Sequence, residues 1–239
     1  MTTPSFDNIF MLYYTLYRME ATTPSSSDDE YTIGLTLANE AKSRWEDYDG
    51  VYWEQLFSTA QTFSTGGVVI ITSGTSSYLT PTAFKQAGGF VKIKNSNGNT
   101  VRFYPIIEAH EAQFKGDFGH YAYFTSVAGG LFTLHINPVP DTSINGMAID
   151  YVFYRKATEF TTGTDKTECP NAEFMAHRML CMRFMGSRNP FSSAAERRSE
   201  DMLKIMKMRN DSGSWANPWV LPDNSGAQFG AAITPGTGF

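Results

Sequence analysis

The chain has 239 residues, of which 41% are apolar and 14% aromatic, and its net charge is −5. This is enough apolar sequence for a sizeable core, which excludes disorder throughout the chain. The length favours one core with appended elements over two independent domains. The acidic balance also argues against nucleic-acid binding as the main role.

The cysteines and the N-terminus exclude several further classes of protein. Cys169 and Cys181 show neither CxxC spacing nor a histidine at ligand distance, which predicts reduced structural thiols, no zinc site and no disulfide framework. The first residues lack the basic region and cleavage site of a signal peptide, and no apolar run approaches the roughly 20 residues that span a bilayer. We therefore expect a soluble protein made in the cytoplasm.

Residues 1–50 predict two helices joined by a polar loop. From Phe6 to Met19 the chain carries two apolar stripes, a pattern typical of a helix buried on most sides. Ser27 and Glu30 have the spacing of a capping box, which predicts that a second helix begins near Asp28. Apolar residues then recur at helical spacing to about residue 48.

Residues 51–160 predict a small antiparallel β-domain, because short segments rich in β-branched and aromatic residues alternate with turn residues. The clearest hairpin turn runs from Asn95 to Asn99, since Asn and Gly tolerate the positive φ of tight turns. A short helix is expected from about Ile107 to Phe114. The predicted strands lie near residues 59–64, 67–72, 88–94, 101–106, 121–126, 130–136 and 146–154.

The last predicted strand shows the clearest alternation. Asp150 and Tyr154 are expected to face outward or toward a partner. The Thr72–Ser77 run, by contrast, is interpreted as a Ser/Thr-rich surface turn. The residues of the last strand predicted to face the core are Met147, Ile149, Tyr151 and Phe153.

Residues 161–210 return to helical patterns and complete a predicted bundle with the N-terminal helices. Pro170 is predicted to be the first helical residue, and Gly186 with Asn189-Pro190 ends that helix. Ser192 or Ser193 is predicted to cap another helix that runs to about Asn210. The apolar face of the first of these helices contains Phe174, His177, Cys181, Phe184 and Met185.

Residues 211–239 differ in composition, being rich in Gly, Pro, Ser, Asn and Ala and lacking any basic residue. Such a segment cannot form a core alone, yet it carries too many aromatic residues for an ordinary linker. We therefore expect an extended arm that orders on a partner through spaced anchors. The predicted anchors are Trp215, Trp219, Leu221, Phe229 and Phe239.

The charges are distributed unevenly along the chain. Residues 1–60 contain ten acidic and three basic side chains, whereas residues 170–210 contain eight basic and four acidic ones. Two solvated helix surfaces would explain this pattern, and so would a contact between one end of a subunit and the opposite end of its neighbour. The predicted subunit interface comprises Asp28, Asp29, Glu30, Arg183, Arg188, Arg197, Arg198 and Lys204.

Catalytic and cofactor motifs are missing from the sequence. It contains no nucleophile elbow, P-loop, dinucleotide-binding glycine fingerprint or HExxH motif. The four histidines are scattered through different predicted elements, and a lone histidine is usually a packed or surface residue. We therefore predict a structural protein without catalytic residues, metal or cofactor.

Several segments resemble the head-to-tail adaptor (connector) proteins of tailed bacteriophages, the group that includes tail tubular protein A. The likeness covers roughly residues 28–188 and lies in pattern more than in invariant residues. The first segment is Ala38-Asn39-Glu40-Ala41, leading to Trp45 and Trp53. The others are Ile136-Asn137-Pro138-Val139-Pro140, Tyr151-Val152-Phe153-Tyr154-Arg155-Lys156-Ala157-Thr158-Glu159-Phe160, Thr164-Asp165 and Cys169-Pro170.

This resemblance implies an α+β subunit, with a helical bundle beside a small β-domain, that assembles into a ring of about twelve copies beneath the portal of the virion neck. It implies as partners the portal protein, a tail or nozzle protein and other copies of the chain. Double-stranded DNA would pass through the ring without sequence-specific binding, and acidic N-terminal helices suit such a channel because carboxylates repel phosphate.

Two other classes remain open at this stage. The β-domain could be a sandwich on a virion surface that recognises carbohydrate or a receptor, with Tyr121, Tyr123 and Phe124 as exposed aromatic candidates. A small hydrolase could also form its site only in three dimensions. A nucleophile hydrogen-bonded to a histidine inside a pocket would favour that reading.

Overall fold

The computed structural model describes residues 3–19, 23–59, 69–116, 119–185 and 189–213, and it confirms a mixed α+β fold. The helices of this part of the chain are α1 Phe6–Arg18, α2 Asp29–Glu46, α3 Ala109–Lys115, α4 Ala172–Arg183 and α5 Pro190–Gly213. The strands are β1 Phe57–Thr59, β2 Ser77–Leu79, β3 Phe84–Ala87, β4 Phe90–Lys94, β5 Thr100–Pro105, β6 Tyr121–Val127, β7 Leu131–Asn137, β8 Ala148–Asp150 and β9 Val152–Arg155.

Helices α1, α2, α4 and α5 form one bundle around a shared apolar cluster. Tyr17 near the end of α1 packs on Phe184, directly after α4, with ring centroids 5.6 Å apart, so these two helices run in the same direction. Glu30 at the start of α2 contacts Arg183 at the end of α4, which makes α2 antiparallel to α4. Helix α5 turns back along α4 and also runs antiparallel to it.

Helix α1 is buried along one stripe only, so the prediction of burial on most sides is wrong. Phe6, Ile9, Phe10 and Tyr13 are buried, whereas Met19 is 84% exposed. Phe10 packs against α2 where Gly34 leaves room, since a Cβ atom there would lie 2.3 Å from the Phe10 ring. The bundle thus covers α1 mainly from one side. In the second apolar stripe Leu12 is partly buried, whereas Leu16 and Met19 are exposed.

Asparagine or aspartate precedes three of the helices. The predicted start of α2 near Asp28 is confirmed, although its capping box is not formed, and the predicted starts of α4 and α5 are corrected. Asp28 precedes α2 and accepts a hydrogen bond from the Ser25 backbone N–H at 2.7 Å, while Glu30 turns to Arg183 instead of closing a capping box. Asn171 caps α4, so Pro170 lies before the helix. Helix α5 begins at Pro190, earlier than the predicted serine caps, and Asn189 accepts from the Phe191 N–H.

The β-domain consists of three small antiparallel sheets, ordered β1-β9-β3, β2-β7-β6 and β5-β4-β8, around a second apolar cluster. The predicted segment 146–154 divides into β8 and β9 at Tyr151. Ile149, Tyr151 and Phe153 are buried as predicted, but Asp150 is buried as well, because it pairs with Lys94 at 2.5 Å. The outward orientation predicted for Asp150 is therefore wrong.

Other strand predictions were displaced or incomplete. The strand predicted at 59–64 overlaps β1, Phe57–Thr59, at Thr59 alone, and residues 60–68 lie outside the described part of the chain. In the predicted 67–72 strand, Ile70 forms only an isolated bridge with Ala148. Strand β2 begins at Ser77, inside the predicted surface turn, and β3 was not predicted at all.

A polar stripe on α2 connects the bundle to the chain that leaves β9. The Asn39 side chain both donates to the carbonyl and accepts from the N–H of Phe160, each at 2.9 Å. Lys42 donates to the Ala157 carbonyl at 3.2 Å, and Glu46 accepts from the Ala157 N–H at 3.0 Å. We call these three side chains the α2 clamp. They lie one helical turn apart and bind backbone groups that would otherwise be unpaired in the interior.

We expect Asn39→Ala to lower the free energy of unfolding by about 2–4 kcal/mol, because it leaves a part-buried N–H and a carbonyl without partners. Urea unfolding followed by circular dichroism measures this loss. Asn39→Asp should also be destabilising, because a carboxylate repels the Phe160 carbonyl. Glu40→Ala, one residue away and exposed, is the control and should change stability by less than about 0.5 kcal/mol.

Candidate interaction surfaces

The joint between the bundle and the β-domain is reinforced outside the α2 clamp. Lys85 on β3 contacts Glu46 at 2.9 Å and Asp47 at 2.5 Å, and Tyr52 packs on Tyr154 with centroids 4.8 Å apart. Burial alone would lower the pKa of Lys85, but hydrogen bonds to Asp47 and Glu46 outweigh it and raise that pKa. A pocket of about 160 Å³ lies beside these side chains. These contacts fix the β-domain on one end of the bundle.

Acidic residues of the N-terminal half pair with basic residues of α4 and α5 inside one chain. Glu30 contacts Arg183 at 2.7 Å and Arg18 at 3.8 Å. The same pattern repeats nearer the joint, where Lys207 contacts Asp49 at 3.0 Å. Arg44 and Glu200, 3.1 Å apart, pair in the opposite sense, with the base on α2 and the acid on α5. These pairs give an intrachain account of part of the uneven charge distribution. The contact expected between subunits stays a prediction.

The remaining residues of the predicted subunit interface are not brought together. Asp28, Asp29, Arg197 and Arg198 are exposed. Lys204 is also exposed and lies 3.8 Å from Asp201 on its own helix, a distance that gives a weak pair. Arg188 lies outside the described residues, as do the arm residues Trp215, Trp219, Leu221, Phe229 and Phe239.

Apolar side chains are exposed at the end of the bundle that lies far from the β-domain. Helices α1 and α4 end there, as the Tyr17–Phe184 contact shows, and α5 begins there, since Ser192 donates to the Cys181 carbonyl at 3.4 Å. We call this the distal end. Large exposed apolar side chains often mark contact surfaces when they cluster. Those at the distal end are Leu16, Met19, Met185 and Phe191.

A larger pocket, of about 480 Å³, lies at the opposite end of the bundle, where α5 ends. Asn210 fixes this end, because its side chain accepts from the Glu54 N–H at 3.0 Å and donates to the Tyr52 carbonyl at 2.9 Å. Trp53, Pro170, Met206 and Asn210 contribute to the wall. The predicted arm therefore follows the end of α5, which Asn210 holds beside a partly apolar pocket.

The aromatic residues proposed for carbohydrate or receptor recognition are largely internal. Tyr121 is only 5% exposed, and its hydroxyl donates to the Gly116 carbonyl after α3. Phe124 stacks on Phe84 in the β-domain core with centroids 4.8 Å apart. Tyr123 is partly exposed and stacks on His135. The exposed aromatic cluster that would favour the binding-module alternative is therefore not formed by these three residues.

His135 lies between two hydroxyl groups, and neither of these contacts was predicted from the sequence. Its Nδ1 is 3.0 Å from Ser77 Oγ on β2, and its Nε2 is 2.8 Å from Thr125 Oγ1 on β6. Burial lowers the pKa of His135. Both of these partners are hydroxyls, so they supply no carboxylate to stabilise an imidazolium as in a catalytic triad. The arrangement is a polar row across one sheet face.

Other groups with possible chemistry are buried or dispersed. Cys169 and Cys181 are free and buried, and burial raises the pKa of the Cys169 thiol to about 12. Across the described ranges, no three His, Cys, Asp or Glu side chains are grouped to hold a metal ion.

None of the helices described is long and apolar enough to cross a membrane.

No protein-family model matches this sequence, and no curated protein is significantly similar to it. The inference about function therefore depends on the surfaces described above and on the resemblance of the sequence segments.

We expect Glu30→Gln to lower the free energy of unfolding by about 1 kcal/mol at low salt, because Arg183 loses its charged partner in a part-buried position. The difference should shrink in high salt, which screens the pair. Asp29→Asn is the matched control, since Asp29 is an exposed acid of the same first turn of α2. It should lose only the favourable interaction of its charge with the helix dipole, and therefore less stability than Glu30→Gln. Urea unfolding at two salt concentrations measures both. Equal losses in the two variants would contradict the assignment of this pair.

Proposed function

We propose that the chain is a structural virion protein, a head-to-tail adaptor subunit that forms a ring between the portal and the tail of a bacteriophage and continues the DNA channel. On this proposal the ring has about twelve copies and lies in the virion neck. It acts as a joint between assemblies, without catalytic residues or a cofactor.

The observation that carries the proposal is the way two resemblance-bearing segments contact each other. Asn39 belongs to the first of these segments, and Ala157 and Phe160 belong to the Tyr151–Phe160 segment. Asn39 binds Phe160, while Lys42, one turn further along α2, binds Ala157. The two segments that resemble the adaptor proteins therefore meet at the joint between the bundle and the β-domain. A bundle locked to a β-domain is the subunit organisation that the resemblance implies.

Two surfaces support an assembly role further. The distal end of the bundle exposes Met19, Met185 and Phe191, which suits contact with another protein. Exposed acidic residues on α2, among them Asp29 and Glu40, suit a surface past which DNA moves, because carboxylates repel phosphate.

The C-terminal arm is proposed to bind the portal or a neighbouring subunit through Trp215, Trp219, Leu221, Phe229 and Phe239. Ordering a segment costs roughly 1–2 kcal/mol per residue, and a Gly-rich sequence recovers little of this by itself. Buried aromatic anchors compensate, because each can contribute about 2 kcal/mol or more to binding.

The direct test of the proposal is to mix the purified full chain with a portal protein and examine the mixture by native mass spectrometry and negative-stain electron microscopy. We expect rings of the chain stacked on the portal ring. The same portal incubated with an unrelated acidic protein of similar size is the control. Absence of ring assemblies with portals from several tailed phages would contradict the proposal.

The anchors are tested by replacing Trp215 and Trp219 together with alanine. If they bind a partner, incorporation into rings should be lost while the melting temperature of the free chain stays nearly unchanged. Asn217→Ala, between the two indoles, is the matched control and should assemble normally. A large drop in the melting temperature of the double variant would show instead that the indoles belong to the core of their own subunit.

A further inference from the structure

Helix α5 carries an exposed stripe on a face that the bundle does not cover. Its members recur at intervals that alternate between three and four residues, the spacing with which a helix contacts a second helix along a seam. Phe191, Ile205 and Met208 are 61%, 49% and 71% exposed, although they are large and apolar. We call the whole set the α5 stripe; it comprises Phe191, Ala194, Arg198, Asp201, Ile205 and Met208, all exposed.

The stripe is distinct from the side of α5 that packs in the bundle. Ala195, Met202, Leu203 and Met206 are buried and face the shared apolar cluster. Glu200 and Lys207, which contact Arg44 and Asp49, face α2 on another side. The α5 stripe thus has the pattern of a second packing face on a helix whose first packing face is already occupied.

The order of residues along the stripe is self-complementary. If a second copy of α5 packs antiparallel across a two-fold axis between residues 199 and 200, Phe191 meets Met208 of the other copy and Ala194 meets Ile205. At the centre, Arg198 then meets Asp201 of the other copy, and this pair occurs twice. A parallel arrangement in register would instead bring Arg198 onto Arg198 and Asp201 onto Asp201.

We propose that the α5 stripe is a homodimer interface, in which two copies of this chain pack antiparallel along α5 with reciprocal Arg198–Asp201 pairs at the centre. A second copy of the chain fits the stripe for two reasons. The opposite charges at the centre pair with each other, and at each end a bulky apolar residue meets an apolar residue of the other copy. From Phe191 to Met208 the stripe spans 18 residues, which is about 26 Å of helix, and antiparallel helix dipoles also favour this arrangement.

The two-fold dimer differs from the proposed ring. Neighbours in a single cyclic ring contact each other through two different surfaces, whereas a two-fold contact uses the same surface on both copies. The dimer is therefore a state of the chain outside a single ring, and the two proposals can fail separately. Because the stripe is narrow, the dimer belongs to the weak and concentration-dependent class.

Sedimentation of the full chain from about 1 µM to about 1 mM tests the proposal, since this span covers weak complexes. We expect a reversible monomer–dimer equilibrium. Asp201→Arg should raise the dimer dissociation constant at least about tenfold, because it opposes like charges at two central positions. The double variant Arg198→Asp/Asp201→Arg should restore dimerisation, because each copy again presents opposite charges to the other.

Two further variants keep the test decisive. Glu196→Arg makes the same change of charge at an exposed position of α5 outside the stripe and should leave the dimer unaffected. Ile205→Asp should weaken the dimer through the loss of an apolar pair, and circular dichroism checks that each variant retains its helices. A monomer over the whole concentration range would overturn the proposal. So would a dimer indifferent to both Asp201→Arg and Ile205→Asp.

Discussion

The α2 clamp is the interaction on which the arrangement of this subunit depends. Asn39, Lys42 and Glu46 supply backbone partners to residues 157–160 as the chain leaves β9. An extended segment that passes under a helix has no strand neighbour there, and unpaired interior N–H and C=O groups are costly. The side chains on one face of α2 pair these N–H and C=O groups. The segment that follows β9 can therefore pass into the helical core. Lys42 is only 4% exposed, so its hydrogen bond to Ala157 lies in a nearly dry setting.

The order of elements along the chain explains why this joint matters. The β-domain is inserted between α2 and α4, so the bundle combines helices from both sides of the insertion. The two apolar clusters are separate, and the joint is where the chain passes between them. Glu46 serves both sides, because one carboxylate oxygen contacts Lys85 of the β-domain and the other accepts from Ala157. The orientation of the domains is thus fixed by polar contacts of defined direction in addition to apolar burial.

The sequence predicted the helices better than the strands, and the reason is physical. Helical periodicity extends over three or more turns, so α1, α2, α4 and α5 were recognised with small errors at their starts. The errors concern α4 and α5, where the Asn171 and Asn189 side chains accept hydrogen bonds from N–H groups of the first helical turn in place of the predicted proline and serine signals. Strands of three or four residues, such as β2 and β3, are too short for alternation to be read.

The contacts that define the candidate surfaces were harder to predict, since they connect residues distant in sequence. Nothing local links Asn39 with Phe160 or Glu30 with Arg183. A signal was nevertheless present in the polar residues of α2, which recur one turn apart along a single face. The same kind of spacing marks the α5 stripe. It was overlooked because the sequence pattern assigned Ile205 to the same apolar side as Ala195, Met202 and Met206, whereas Ile205 is 49% exposed. The apolar residues of α5 look like one face in the sequence, but the exposure of each side chain in the structure divides them into a buried face and an exposed face.

The two proposed assembly modes make different demands on the same helix. In a ring, Arg197, Arg198 and Lys204 would be available to the acidic N-terminal residues of a neighbour, as the charge distribution suggests. In the two-fold dimer, Arg198 is occupied by Asp201 of the other copy, and the flanking Arg197 and Lys204 remain in solvent. The α5 stripe would therefore compete with a heterologous contact through Arg198. The two contacts through Arg198 exclude each other, so the weak dimer would reduce the fraction of subunits free for the ring contact only at concentrations near or above its dissociation constant.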